Sequence, residues 1–138
     1  MNIKYFTYSK MISLEEALET KKFTLEDKEF TALVTKVYDG DTVHVVFEHK
    51  GEYNKWVCRL YGIDTAEIRT KDLEEKEFAI ETRDALRDRI LHQEVQIKCY
   101  EFDKYGRLLA TIIKDDVNIN EWLIKEGYAK PYFGGTKS

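Results

Sequence analysis

The sequence predicts an α+β fold that is mainly β: a five-stranded barrel with two packed helices and a short N-terminal helical extension. Apolar and polar residues alternate over residues 31–61 and 95–113, as expected for half-buried strands. Between them lies a charged segment with apolar residues at helical spacing. A chain of 138 residues is long enough for one domain with a sizeable core.

The N-terminal part of the chain is predicted to divide at residue 30. Residues 1–30 form an extension, in which Ser13 and Glu16 make a capping-box pattern before a short helix over about residues 14–21. The domain spans residues 31–138. Its first strands are ALVTKV, TVHVVFEH and WVCRLYGI, separated by the turn YDGD and the polar stretch HKGEYNK, which predicts an antiparallel meander. Val43, Val45 and Phe47 share one side of their strand, and Trp56, Cys58 and Leu60 share one side of the next.

The second half of the chain is predicted to add a helix, two strands and a last helix. The long helix runs from about Leu73 to Leu91, the strands are EVQIKCY and RLLATII, and Asn118 caps a helix that Gly127 ends. The face of the long helix is marked by Phe78, Thr82, Ala85, Leu86 and Ile90. This order of elements is that of an OB-type barrel, although the pattern alone leaves other α+β folds open.

Composition places few limits on the partners of the protein. The formal net charge is −4, whereas phosphate contacts require a basic face. An acidic metal site would lower the net charge while its bound ion restores positive potential locally. Nucleic acid therefore remains a candidate partner.

Location and assembly are also expectations from the sequence. The N-terminus has neither a continuous apolar run nor a small-residue cleavage site, and no apolar run has the length of a membrane span. We expect an intracellular protein, most simply cytoplasmic and monomeric, with no membrane partner. Cys58 and Cys99 lie in apolar strands, which favours buried free thiols over a disulfide.

Three short segments carry the residues that favour chemistry: YDGDTV, RLYGIDTAE and DKYGR. All lie at strand ends or in loops, where functional sites are usually found. Asp41 and Asp64 are candidate carboxylate ligands for a hard cation, and the Thr65 carbonyl can supply a further oxygen. Glu67 follows three residues after Asp64 and can act as a base for water.

Basic groups in the same segments suit an anionic substrate. Arg59 and Arg107 have planar donor forks that match phosphate oxygens, and Lys104 and Tyr105 can hold an adjoining phosphate. Each segment also has an ordinary structural interpretation, as a turn, a cross-strand arginine or a helix start. The joint pattern favours hydrolysis of phosphodiester bonds, in which cationic groups must neutralise charge in the transition state.

The segments, in this order, resemble those of the thermonuclease (staphylococcal nuclease-like) family. That family has a DGDT element, an arginine on a strand, a D-T-P-E element and, after the helix, D-K-Y-G-R. Here these are DGDT at residues 39–42, Arg59, DTAE at residues 64–67 and DKYGR at residues 103–107. The likeness extends from about Thr31 to Lys130.

The resemblance implies an OB-type barrel and a Ca²⁺-dependent endonuclease that leaves 3′-phosphate ends on DNA or RNA. A single-stranded or flexible substrate is expected, because extruded strands enter a barrel groove more readily than a stacked duplex does. A base-stacking tyrosine of the family lies near Tyr132 or Phe133, and Tyr132 is preferred. The resemblance assigns metal binding to Asp41, Asp64 and Thr65, catalysis to Arg59, Glu67 and Arg107, and substrate binding to Lys104, Tyr105 and Tyr132.

Two departures from the family pattern bear on this interpretation. Ala66 replaces the usual proline, which loosens the loop but removes no functional group. The loop IRTKDLEEKE is more acidic than expected for a substrate-gripping segment, which affects affinity rather than chemistry. The rival interpretation is a binding module, since related domains keep the barrel after losing metal or arginine residues. The complete set of aspartates, glutamate and arginines favours catalysis.

Overall fold

Five strands form a closed barrel in a computed structural model of the chain, which describes residues 11–134. In chain order, the elements are α1 (Leu14–Glu19), β1 (Glu29–Val37), β2 (Thr42–His49), β3 (Glu52–Leu60), β4 (Ile63–Thr65), α2 (Leu73–Ile90), β5 (Glu94–Phe102), β6 (Leu108–Lys114), β7 (Val117–Asn118), α3 (Ile119–Lys125) and β8 (Ala129–Pro131). The sheet order is β3-β2-β1-β5-β6-β7, and a parallel pairing of β3 with β6 closes the barrel. The predicted five-stranded barrel of the α+β, mainly β class is confirmed.

Strands β1, β2 and β3 form an antiparallel meander, and a tight turn at Lys50 and Gly51 joins β2 to β3. Lys50 and Gly51 both have positive φ, at 53° and 81°, as a two-residue hairpin turn of the right twist requires. β3 therefore starts at Glu52, inside the stretch that the sequence predicts as a polar connection. Its register places Thr42 opposite Arg59, at the end of the sheet where β1 turns into β2.

The barrel core contains one side of each alternating strand. Val43, Val45 and Phe47 are fully or almost fully buried, as are Cys58 and Leu60, while Trp56 is partly buried against the same cluster. Cys58 and Cys99 are free and buried, as predicted. The core therefore forms from the inner faces of the strands, and α2 and α3 contribute Leu86, Ile90, Ile119 and Leu123 to it.

The N-terminal extension contacts the barrel through its last residues. α1 has the predicted capping box at Ser13 and buries no residue, and it ends at Glu19 rather than residue 21 because Thr20 is extended. Leu25, by contrast, is fully buried in the core, and the amide of Asp27 donates to the carbonyl of Cys99 at 3.0 Å. The division at residue 30 stays a prediction, and residues 1–10 and 135–138 lie outside the described residues.

Helix α2 packs through a narrower face than the sequence predicts. Thr82, Leu86 and Ile90 are buried as expected, together with Ala79. The prediction for Phe78 is wrong, since this side chain is 38% exposed and stacks near Tyr128 instead of entering the core. Among the described helices, none has both the length and the apolarity needed to cross a membrane.

A second, two-stranded sheet of β4 and β8 was not predicted. It pairs Asp64 with Lys130 and Thr65 with Ala129. Helix α3 leads the chain into β8, with Asn118 as its N-cap and a positive φ of 82° at Gly127, both as predicted. This small sheet holds the segment after β3 against the chain that follows α3.

Candidate active site

All three motif segments meet at one cleft of about 480 Å³ on the barrel. The β1–β2 turn, the segment from β3 into β4 and the β5–β6 hairpin form its walls, because β3 pairs with both β2 and β6. The structure therefore brings together residues more than sixty positions apart in sequence. Lining the cleft are all nine predicted site residues: Asp41, Arg59, Asp64, Thr65, Glu67, Lys104, Tyr105, Arg107 and Tyr132.

The β1–β2 turn fixes the first carboxylate of the site. The amide of Asp41 donates to Oδ1 of Asp39 at 3.1 Å, and the hydroxyl of Thr42 donates to Oδ1 of Asp41 at 3.0 Å. Between the two aspartates, a Cβ on Gly40 would lie 2.7 Å from Cγ2 of Thr82. Only glycine therefore lets this turn pack so closely against α2.

Arg59 is the central cation of the cleft. Its Nη1 donates to the carbonyls of Leu60 at 2.9 Å and Ile63 at 3.0 Å, which fixes the plane of the guanidinium. Its Nη2 lies 3.4 Å from Oδ2 of Asp41 and 3.8 Å from Oδ1 of Asp64. Since all three side chains are less than one-fifth exposed, this ion pair is shielded from solvent far more than a surface pair.

The Asp39 carboxyl lies partly buried in the turn, close to Asp41. Burial, reinforced by repulsion from Asp41, raises the pKa of this carboxyl from 3.8 to about 7. Its proton is thus held more tightly in the folded chain than in the unfolded one. Asp39 therefore lowers the free energy of unfolding as pH rises from 3.8 to about 7, and has no such effect at lower pH.

The β5–β6 hairpin positions the second arginine. Asp103 accepts hydrogen bonds from the amides of Tyr105 and Arg107, both at 2.9 Å, and from Nε of Arg107 at 2.8 Å. Gly106 has a positive φ of 83°, which the tight turn requires. The Arg107 side chain stays 31% exposed, so its guanidinium remains accessible from the cleft.

Aromatic side chains extend the same wall. The Arg107 guanidinium lies 5.4 Å from the centre of the Tyr105 ring, and Nζ of Lys104 lies 5.2 Å from it. Tyr132 and Phe133 both line the cleft. Phe133 is 73% exposed and packs over Gly62, where a Cβ would lie 2.8 Å from its ring. The choice of Tyr132 over Phe133 stays a prediction.

The oxygen donors of the cleft suit a hard divalent cation. Asp41, from the β1–β2 turn, and Asp64, from β4, approach the same Arg59 nitrogen, and Thr65 follows Asp64 in β4. Over residues 11–134, no cluster of three or more His, Cys, Asp or Glu side chains is arranged to hold a metal. Two carboxylates and one backbone carbonyl, completed by water, fit Ca²⁺, which accepts such mixed oxygen shells.

Two residues that support the site, Asp39 and Asp103, are not among the site residues that the sequence predicts. In the sequence, Asp39 belongs to the YDGD turn and Asp103 begins the DKYGR motif. The signals that could identify them are a carboxylate two residues before a candidate ligand and another four residues before a candidate arginine. Their roles depend on burial and hydrogen bonding, which spacing alone does not show.

Comparison with known proteins finds relatives that include nucleases. A thermonuclease from Staphylococcus hyicus is 32% identical over 107 residues, covering 76% of this chain and 61% of that protein. An uncharacterized protein from Methanocaldococcus jannaschii is 35% identical over 125 residues, covering 72% and 58%. A micrococcal nuclease from Shigella flexneri is 28% identical over 117 residues, covering 75% and 59%.

The chain thus spans about three-fifths of the length of these curated relatives. The family model described as staphylococcal nuclease homologue matches residues 57–137, which is more than half of the chain. This match includes the end of β3 from Val57, β4 and the β5–β6 hairpin, and with them Arg59, Asp64, Glu67 and Arg107. The chain belongs to the staphylococcal nuclease family.

Proposed function

We propose that the protein is a calcium-dependent nuclease that hydrolyses phosphodiester bonds in DNA or RNA and leaves 3′-phosphate ends. The observation that supports this most strongly is the position of Arg59, within 3.4 Å of Asp41 and 3.8 Å of Asp64. The same cleft is lined by Glu67 and Arg107. Carboxylates can bind a cation and arginines can bind an anionic substrate, so a site for both needs the two kinds of group side by side.

The proposed chemistry begins with the binding of the scissile phosphate between the two arginines. The Arg59 guanidinium is fixed in orientation by two backbone carbonyls, and Arg107 is fixed by Asp103. Preorganised donors of this kind stabilise charge that develops on phosphate oxygens without reorganising during the reaction. Each planar fork can also bind two oxygens at once, which a lysine cannot do.

Glu67 is proposed to accept a proton from the attacking water. The water oxygen forms a bond to phosphorus, the P–O5′ bond breaks, and the departing 5′ oxygen takes a proton from solvent. The phosphate group thus remains on the 3′ side. Glu67 is exposed at the rim of the cleft, so water and substrate can both reach its carboxylate.

Ca²⁺ would be held by Asp41, Asp64 and the carbonyl of Thr65, and would supply positive charge that polarises the phosphate. The ion would also offset the repulsion from Asp41, which adds to the larger effect of burial on the pKa of Asp39. A single-stranded or flexible nucleic acid is the proposed substrate, because a cleft of about 480 Å³ accommodates an extruded nucleotide. The names of the curated relatives, thermonuclease and micrococcal nuclease, support a nuclease.

Calcium binding should stabilise the folded protein measurably. At about ten times its Kd, Ca²⁺ adds about 1.4 kcal/mol to the free energy of unfolding, which corresponds to a rise in Tm of about 5 °C. The rise should be larger with a nucleotide bisphosphate present. Differential scanning calorimetry with and without calcium measures this.

The matched variants are Asp41→Asn, which removes a proposed ligand, and Asp115→Asn, which removes an aspartate that is 84% exposed in the β6–β7 turn. The first should lose the calcium-dependent rise and the second should keep it. An equal rise in both variants would contradict the proposed metal site.

A further inference from the structure

Three rungs of side chains cross the outer face of β1, β2 and β3. Register places Thr42 opposite Arg59, His44 opposite Val57, and Val46 opposite Lys55. β1 adds Lys36 opposite His44 and Leu33 opposite Val46. We call the six residues beyond the first rung the outer strip: Leu33, Lys36, His44, Val46, Lys55 and Val57.

The outer strip combines exposed apolar surface with positive charge. Leu33 is 48% exposed and Val57 is 37% exposed, and Lys36 and Lys55 are also exposed. The two lysines lie on opposite sides of His44, and both act electrostatically to lower its pKa, after the larger effect of burial. The basic charge of the strip is that of Lys36 and Lys55, while Glu94 of β5 lies opposite Leu33 at its edge. In a protein with a formal net charge of −4, these two exposed lysines can contact an anionic partner.

The strip is continuous with the catalytic cleft. Arg59, Val57 and Lys55 alternate along β3 and so point to the same face of the sheet. From Arg59 to Lys55 the strand rises about 13 Å, at about 3.3 Å per residue. Glu48 is the next residue of β2 on this face after Val46. Because its carboxylate would repel an anionic partner, the strip ends there.

The position of the strip in the barrel is also suited to nucleic acid. In OB-type barrels, the face of the second and third strands and the adjoining loops bind oligonucleotides. Here that face begins at the β1–β2 turn, which carries Asp41. Apolar side chains can support bases whose backbone contacts flanking lysines.

We propose that the outer strip binds the part of a single-stranded nucleic acid that extends beyond the scissile phosphate. Lys36 and Lys55 contact phosphates, and Val57 and Val46 contact bases. This inference rests on the proposed function, because it assumes that a strand occupies the cleft at Arg59. It adds a binding surface outside the catalytic residues and explains how an acidic protein holds a polyanion.

The test uses the double variant Lys36→Gln/Lys55→Gln and the matched control Lys76→Gln/Lys125→Gln, which removes two exposed lysines from α2 and α3. Fluorescence anisotropy measures binding of a labelled thymidine strand of about 12 nucleotides. The strip variant should bind about tenfold more weakly, and its slope of log K against log salt should fall by about 1.4, or about 0.7 per lost phosphate contact. The control should match the wild-type protein.

Cleavage of a short substrate separates this inference from the proposed function. The strip variant should keep the wild-type kcat and KM on a dinucleotide, which fills only the cleft, and should show a raised KM on the longer strand. Wild-type affinity and salt slope in the strip variant would overturn the inference even if the enzyme cleaves normally. If the wild-type protein cleaves neither substrate, the proposed function fails, and the anisotropy slope still decides whether the strip binds nucleic acid.

Discussion

Replacing Glu67 with glutamine should lower kcat by roughly a hundredfold to ten-thousandfold, the range that positioned general bases contribute. Glutamine keeps the size of the side chain but cannot accept the proton of the attacking water. Because Glu67 is exposed at the cleft rim, the Tm should change little. Steady-state cleavage of a labelled single strand in calcium measures the effect.

Glu81→Gln is the matched control, since it removes one exposed carboxylate from α2. It should retain wild-type kcat. Near-wild-type kcat in Glu67→Gln would show that another group activates the water.

Replacing Arg107 with lysine should lower kcat by about a hundredfold or more, because lysine keeps the charge but loses the planar fork.

Replacing Asn120 with alanine should destabilise the fold by roughly 3–5 kcal/mol. Asn120 is 4% exposed and accepts a hydrogen bond from the amide of Ile112 at 3.1 Å. Its Nδ2 donates to the carbonyls of Tyr61 at 2.9 Å and Ala110 at 3.1 Å. Alanine would leave three backbone groups, two of them buried, without these partners at the closure between β3 and β6.

Chemical denaturation of the two proteins measures this loss, with Asn54→Ala as the control. Asn54 is exposed on β3, so its replacement should change the free energy of unfolding by less than about 0.5 kcal/mol. A loss below about 1 kcal/mol in Asn120→Ala would mean that water replaces the side chain and that the network does not hold the barrel closed.

The strands of the barrel could be predicted because apolar residues occupy every second position along their inner faces. Val43, Val45 and Phe47 alternate without interruption, so period and burial agree. The β4–β8 sheet could not be predicted, since three residues such as Ile63–Thr65 are too few to show a period. Its pairing joins segments more than sixty residues apart, and no local signal encodes that contact.

The site residues could be named from their motifs, but not the interactions that set their properties. Spacing identified Asp41, Arg59 and Asp64 as candidates, whereas the shared Arg59 nitrogen depends on barrel closure. The pKa of Asp39 depends on burial beside Asp41. Phe78 has helical spacing yet lies partly exposed, because the rotation of α2 is set by Ala79 and Leu86 in the packed face.

The most direct test of a calcium-dependent nuclease is cleavage of end-labelled single-stranded DNA and RNA, in calcium and then with excess chelator. We expect cleavage in calcium, loss of cleavage with chelator, and products that carry 3′-phosphate ends, with the relative rates defining the preferred strand. If neither strand is cleaved in calcium while circular dichroism shows a folded protein, the catalytic account is contradicted and the cleft is a binding site.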